Sequence, residues 1–251
     1  MQVFFVGAGP GDPELITVKG RSLLGQADVI IYAGSLVNPV LLQFAKQGTA
    51  IFNSASMTLD EVLQTMETAV NDGKLVVRLH TGDPSLYGAI QEQMDALKAK
   101  NIDFEVVPGV SSFLATAAAL KQEYTLPNVS QTVIITRLEG RTAVPDKEKL
   151  ASLASHNATM CIFLSVHMLD KVTAELIDGG YAEDTPVAVV QKASWPEQKI
   201  IRGTISTIAK QMSEAGIGRT AMIVVGRCLD ANYELSRLYA ADFAHMYRDA
   251  K

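Results

Sequence analysis

The first half of the chain alternates short apolar runs with longer stretches whose apolar residues recur every three or four positions. The runs at 2–6, 28–32, 49–52, 74–79 and 103–107 predict strands, and helical spacing predicts helices near 14–25, 39–46, 58–72 and 86–100. Thr58 followed by Glu61 forms a capping-box pattern ahead of Val62, Met66, Ala69 and Val70. Ile90, Met94 and Leu97 share one face of the next helix, with charges between them. Strands and helices in strict alternation predict a parallel sheet with helices on its faces. Residues 111–120 read as a short helix that is apolar all round.

Residues 121–130 are more polar and contain Pro127, Asn128 and Ser130. A boundary placed there gives an N-terminal α/β domain over 1–120 and a C-terminal α/β domain over 121–251. The second part carries strand patterns at 132–136, 159–164, 186–191, 198–203 and 221–226, with helices expected near 146–154, 167–179, 204–215 and 236–247. The strands at 186–191 and 198–203 are separated only by a short turn-rich segment, which predicts an antiparallel hairpin and hence a mixed sheet.

Composition narrows the function classes. A chain of 251 residues with 48% hydrophobic residues can bury a sizeable core. Its net charge is −5, and no Lys/Arg run or basic stripe interrupts it, which argues against a nucleic-acid partner. Cys161 and Cys228 sit in separate apolar runs, so neither a disulfide framework nor a zinc spacing is expected, in keeping with a reducing compartment. His80, His156, His167 and His245 are scattered and make no metal pair, so no metal site is predicted. No apolar run reaches the ~18–20 residues of a membrane span, and the strand-like run directly after Met1 leaves no signal-peptide pattern. The cytoplasm is the expected location.

The candidate chemistry lies in three corners, each following an apolar run: Gly7-Ala8-Gly9-Pro10-Gly11-Asp12-Pro13, Thr81-Gly82-Asp83-Pro84 and Pro108-Gly109-Val110-Ser111-Ser112. In an open parallel sheet, ligands bind at the carboxyl ends of the strands. Each corner alone also reads as an ordinary turn, with glycines supplying positive φ and prolines stiffening the chain. Three such corners in one half of the chain point to one site that holds a small ligand close to the backbone.

A nicotinamide oxidoreductase is the first reading to test. Asp12 stands where the dinucleotide fingerprint has its last glycine, and Pro10 and Pro13 remove N–H donors that a pyrophosphate needs. The candidate ribose acid, Asp28, opens its strand, whereas the fingerprint has that acid at a strand's end. No phosphate-binding P-loop pattern exists either. A non-catalytic nucleotide-binding module stays open as a further alternative.

The three corners, with Pro186-Val187-Ala188-Val189-Val190-Gln191, Pro196-Glu197-Gln198 and Ala221-Met222-Ile223-Val224-Val225-Gly226-Arg227, closely resemble the tetrapyrrole methylases, the S-adenosylmethionine-dependent enzymes of sirohaem and cobalamin synthesis. The resemblance spans nearly the whole chain. Tyr32-Ala33-Gly34-Ser35-Leu36-Val37-Asn38-Pro39 and Phe163-Leu164-Ser165-Val166-His167-Met168 resemble the branch that methylates carbon 11 of precorrin-4 or its cobalt complex, and not the uroporphyrinogen III methylases. Another methylase of the same family is the main alternative.

The resemblance implies two αβα domains with the cofactor in a cleft between them, and usually a homodimer. It assigns cofactor contacts to Pro10, Thr81, Gly82, Asp83, Leu86, Ser111, Ser112, Leu164 and Ala193. Thr81, Leu164 and Ala193 depart from the commoner family residues (Gly, Met and Gly). Methyl transfer from a sulfonium disperses charge, so positioning is the main task and no catalytic triad is needed. Asp83 reads either as an acceptor for the cofactor or as an Asx-turn cap before Pro84. If a general base is used, Asp12, Asp83 and Tyr87 are the candidates. Arg78, Arg137, Arg141, Lys192 and Arg202 are candidates for the ring's carboxylates. Tyr32, Tyr87 and Trp195 are candidates to pack on the ring, Trp195 equally a domain-interface residue. His80 reads as a satisfied core histidine.

Overall fold

The protein is described by a computed structural model covering residues 2–230 and 232–250. Contacts divide these residues into two compact units, one of Met1–Ala115 with Lys192–Glu197, the other of Thr116–Gln191 with Gln198–Lys251. The expected division at 120/121 falls just beyond the observed one, and the 192–197 turn, expected in the C-terminal part, groups with the first unit.

The first unit is a five-stranded sheet in the order β3-β2-β4-β1-β5, formed by β1 (Val3–Gly7), β2 (Val29–Tyr32), β3 (Ala50–Asn53), β4 (Val76–His80) and β5 (Phe104–Val107). All its pairings are parallel, with Val3 opposite Val76 and Phe104. The helices are α1 (Val18–Gln26), α2 (Leu59–Asn71), α3 (Gln91–Ala99) and α4 (Ser112–Leu120), the last crossing from one unit into the other. Thr17 caps α1 by accepting the Gly20 N–H, and the Thr58–Glu61 capping box opens α2 as expected. Along each strand alternate residues go to opposite faces. Val6, Ile30 and Leu79 pack with Leu23 and Leu24 of α1, while Phe5, Ile31 and Val76 pack with Met66 of α2 and Leu97 of α3. The chain therefore leaves β1 towards one face and leaves its neighbour β4 towards the other. That reversal is a topological switch point, the place where open α/β sheets bind ligands beyond the strands' carboxyl ends.

Two expected helices of this unit differ. Residues 39–44 form a 3₁₀ helix, started by Pro39 and capped by Asn38, which accepts the Val40 N–H. Helix α3 starts at Gln91, later than expected, because Tyr87 and Ala89 have φ of +56° and +49°. A side chain on Gly88 would also meet the Pro84 carbonyl oxygen at 2.1 Å.

The second unit is mixed. Its sheet runs β6-β7-β10-β8-β9, with β6 (Val133–Arg137), β7 (Thr159–Phe163), β8 (Pro186–Gln191), β9 (Lys199–Thr204) and β10 (Ala221–Val225). β6 and β7 are parallel and every other pairing is antiparallel, including the expected β8–β9 hairpin, in which Gln191 faces Lys199. Helices α5 (Leu150–Ala154), α6 (Leu169–Asp178) and α7 (Ile208–Glu214) bury Leu150, Val172, Leu176, Ile208 and Met212 against Met160, Ile162, Val189 and Ile223. The helix expected near 236–247 does not form, and only a 3₁₀ turn at Arg237–Tyr239 stands there. Tyr239, Met246 and Tyr247 are each more than four-fifths exposed, so no apolar face is buried to stabilise a helix.

Candidate active site

The three corners meet at the carboxyl ends of β1, β4 and β5. A Cβ placed on Gly7 would lie 2.6 Å from the Gly109 Cα and 2.7 Å from the Gly82 carbonyl oxygen. One placed on Gly109 would lie 2.2 Å from that same oxygen and 2.8 Å from the Gly7 Cα. These are backbone atoms, which cannot swing aside as a side chain can. Gly82, at φ +59°, turns its bare Cα towards Ser111 and Ser112. The first two corners are also bonded together: the Gly82 N–H donates to the Gly9 carbonyl (2.8 Å), and the Gly9 N–H to the Gly82 carbonyl (3.3 Å).

Asp83 joins the second corner to the third. Its Oδ1 accepts the Ser85 N–H and its Oδ2 accepts the Gly109 N–H, each at 2.8 Å. The Asx turn is therefore present, and it fixes the carboxylate's orientation. A carboxylate has about four acceptor positions, so a half-buried Asp83 with these bonds keeps acceptor capacity for a ligand. Leu86 follows in the same turn, its N–H directed to the Asp83 carbonyl at 3.3 Å. Thr81 is half-buried between His80 and Gly82. Ser111 is buried just ahead of α4, and Ser112 is that helix's first residue. The first N–H groups of a helix point outward without intrahelical partners and favour a negative group.

The Gly9–Asp12 loop is held by three hydrogen bonds, none of them foreseen from the sequence. The Trp195 indole N–H donates to the buried Pro10 carbonyl at 2.9 Å. The buried Asn38 amide donates to the Gly11 carbonyl at 2.8 Å. The Asp12 N–H donates to the Ser194 hydroxyl at 3.0 Å, while the Asp12 carboxylate caps the following 3₁₀ turn through the Glu14 N–H. The reach of Asn38 to Gly11 is a tertiary fact without a local signal. Ala193 is buried in the same 192–197 turn, and Tyr87 is half exposed at its positive φ. Leu164 lies in the second unit, at the end of β7, exposed and with φ +55°. The next residue, Ser165, is fully buried and accepts the Leu138 N–H at 2.8 Å.

The carboxylate-binding candidates separate. Arg78 is buried on β4, bonded to Gln93 Oε1 and the Ile31 carbonyl at 3.3 Å each. Burial pushes its pKa down to about 10. Arg137 braces its own loop through the Thr142 and Ala143 carbonyls, and Arg202 donates to the Leu120 carbonyl. Lys192 pairs with Glu197 at 3.5 Å and lies 5.2 Å from the Trp195 ring centre. Arg141 is exposed on the loop after β6. His80 is a core histidine, but the expectation that it is satisfied fails, since its Nε2 has no hydrogen-bond partner among the described residues. Burial, with the Arg78 charge second, lowers its pKa to about 3 and keeps the ring neutral. Asp28, the rejected ribose acid, accepts the Leu75 N–H and pairs with Lys46.

Comparison with known proteins now decides the family. Residues 2–209 match the Tetrapyrrole (Corrin/Porphyrin) Methylases. The chain belongs to this family. The Cobalt-precorrin-4 C(11)-methyltransferase of Methanocaldococcus jannaschii is 59% identical to this methylase over 98% of the chain and 96% of its own length. A solved cobalt precorrin-4 methyltransferase, a cobalamin biosynthetic enzyme, superposes with a TM-score of 0.90 at 51% identity, covering 92% of this chain and 96% of that one. The uroporphyrin-III C-methyl transferase of Thermus thermophilus, complexed with S-adenyl homocysteine, superposes with a TM-score of 0.76 at 26% identity, over 92% and 94% of the two chains. No helix among the described residues of the methylase is long and apolar enough to cross a membrane.

Proposed function

We propose that this methylase transfers a methyl group from S-adenosylmethionine to ring carbon 11 of cobalt-precorrin-4 or precorrin-4 in cobalamin synthesis. The observation that carries the reading is the 59% identity, over almost the whole of both chains, to a protein named for that reaction. Gly34 favours this branch over the uroporphyrinogen methylases. Those enzymes usually carry an acidic-basic pair after the tyrosine that Tyr32 matches, where this chain has Ala33-Gly34, and a side chain at Gly34 would have to displace the exposed Asn53 amide, 2.2 Å away.

The donor, when bound, supplies its own leaving group as a sulfonium, so the chain's residues have to hold and align. In the first unit, Pro10, Thr81, Gly82, Asp83, Leu86, Ser111, Ser112 and Ala193 are the residues assigned to it. The bare glycine surfaces at the corners let main chain approach closely, Asp83 offers acceptor positions to amino or hydroxyl groups, and the start of α4 suits a carboxylate. Alignment of this kind is worth about 7–11 kcal/mol of barrier. Asp12, Asp83 and Tyr87 remain the candidates for any proton removed from the ring. The enzyme is read as a homodimer, as the family resemblance implies, and as cytoplasmic from its composition and pattern.

Incubating the purified enzyme with methyl-labelled donor and each of the two rings, followed by carbon-resolved NMR of the product, tests the reading. Label at carbon 11 is the expected outcome. Label at another ring carbon would leave a tetrapyrrole methylase of different specificity.

A further inference from the structure

The loop after β1 contains Gly9 at φ +75° and Gly11, so its own backbone does little to select one shape. The turn at residues 192–197 supplies what the loop lacks. Trp195 holds the Pro10 carbonyl, and Ser194 accepts the Asp12 N–H, so neighbouring turn residues grip both flanks of Gly11. Gly11 itself is covered: a Cβ there would lie 1.9 Å from Trp195 Nε1. The turn is built for this grip. Lys192 and Ser194 sit at φ +48° and +71°, a region non-glycine residues enter only when their surroundings hold them there. The Trp195 N–H closes the turn onto the Lys192 carbonyl at 3.0 Å.

We propose that Trp195 is a positioning residue for methyl transfer, fixing the Gly9–Asp12 loop through the Pro10 carbonyl and the bare face of Gly11. The proposal rests on the reading that donor and ring meet at the carboxyl ends of β1 and β4. A loop free to shift by about an ångström loses alignment, which can cost on the order of 100-fold in rate. Loss of the indole therefore acts on turnover more than on donor affinity.

The test compares wild type, Trp195→Phe, Trp195→Ala, Gly11→Ala and the double variant Gly11→Ala/Trp195→Ala. It measures kcat, KM for the donor, S-adenosylhomocysteine affinity and melting temperature. Trp195→Ala is expected to lower kcat by about 10- to 100-fold, with donor affinity changed by less than about threefold. Trp195→Phe keeps a ring but loses the N–H, and falls between. Gly11→Ala collides with the indole and is at least as impaired as Trp195→Ala. The double variant removes that collision but keeps the strain of a side chain at Gly11's φ of +155°, so its loss is expected to be smaller than the product of the two single losses, an epistasis that general destabilisation does not produce. Should Trp195→Ala fail to fold, Trp195→Phe and Gly11→Ala carry the test, each expected to lower kcat with donor affinity kept. A kcat within twofold of wild type for the folded tryptophan variants, or losses that multiply in the double variant, overturns the proposal. Wild-type turnover is scored first. Its absence on both rings overturns the functional reading and this proposal with it, whereas an active wild type with unimpaired tryptophan variants overturns the positioning role alone.

Discussion

Each unit has glycines with no room for a side chain, but for different reasons. In the first unit Gly7, Gly82 and Gly109 crowd one another across three strand ends, backbone against backbone. In the second, Gly179 lies at the end of α6, where a Cβ would meet the Ala154 Cβ and the Ala151 carbonyl oxygen of α5 at 2.4 Å each. The first arrangement shapes a polar surface at a topological switch point, and the second closes a helix–helix contact over an apolar core. Crowding alone therefore does not mark a functional glycine. What marks one is crowding at the carboxyl ends of parallel strands, beside a carboxylate that keeps free acceptor positions.

The sharpest way to break this comparison is Gly109→Ala. The new methyl group would press on the Gly82 oxygen and the Gly7 Cα, so the corners must separate. Binding of S-adenosylhomocysteine by calorimetry should fall by at least 100-fold (about 2.7 kcal/mol), and methyl transfer should be lost. Near-normal affinity would show that the convergence has no bearing on the donor.

Asp83→Asn sharpens the same point more gently. An asparagine oxygen can satisfy only one side of the pair of N–H groups from Ser85 and Gly109, and its NH₂ opposes the other. About 10-fold weaker donor binding is expected, from one lost charge-assisted hydrogen bond of about 1.5–3 kcal/mol partly offset by relaxation. Equal affinity in the variant would reduce Asp83 to a turn cap.

Gly179→Ala is the counterpart in the second unit. It should destabilise the protein by about 1–3 kcal/mol in urea unfolding through overpacking, while kcat/KM stays within about twofold. A large kinetic effect without loss of stability would remove the distinction drawn between the two units.

The effect that is smallest at neutral pH concerns His80. Its folded-state pKa is lowered to about 3, from 6.5 for the free side chain. Between those values the unfolded chain takes up a proton that the folded chain does not, so stability falls as pH drops from about 6.5 towards 3. The expected slope is at most about 1.4 kcal/mol per pH unit. Unfolding free energies of wild type and His80→Leu, measured from pH 4 to 7, should differ by a slope of this sign. Parallel curves would mean that the buried ring does not resist protonation.

Much of this architecture was legible because local pattern and tertiary role agreed. The strands of both sheets fall within a residue or so of the apolar runs, and the 186–203 hairpin followed from its short turn. The pattern failed where tertiary contacts decide. Tyr87 and Ala89 delay α3 through backbone conformations that no periodicity encodes. The apolar spacing at 236–247 found no surface to bury, and the His80 Nε2 is buried without a hydrogen-bond partner among the described residues. The corners were readable from glycine placement after apolar runs. Their clamp was not, because Trp195 meets Pro10 across most of the chain's length and a lone tryptophan in a turn carries no signal of its target.

The account depends most on the claim that the ends of β1, β4 and β5 seat the donor. A crystal structure of the enzyme with S-adenosylhomocysteine tests it directly. The account predicts the ligand against the main chain of Gly82, with Asp83 accepting one of its hydrogen bonds and Ser111–Ser112 beside it. A ligand bound elsewhere, with these residues untouched, would contradict it.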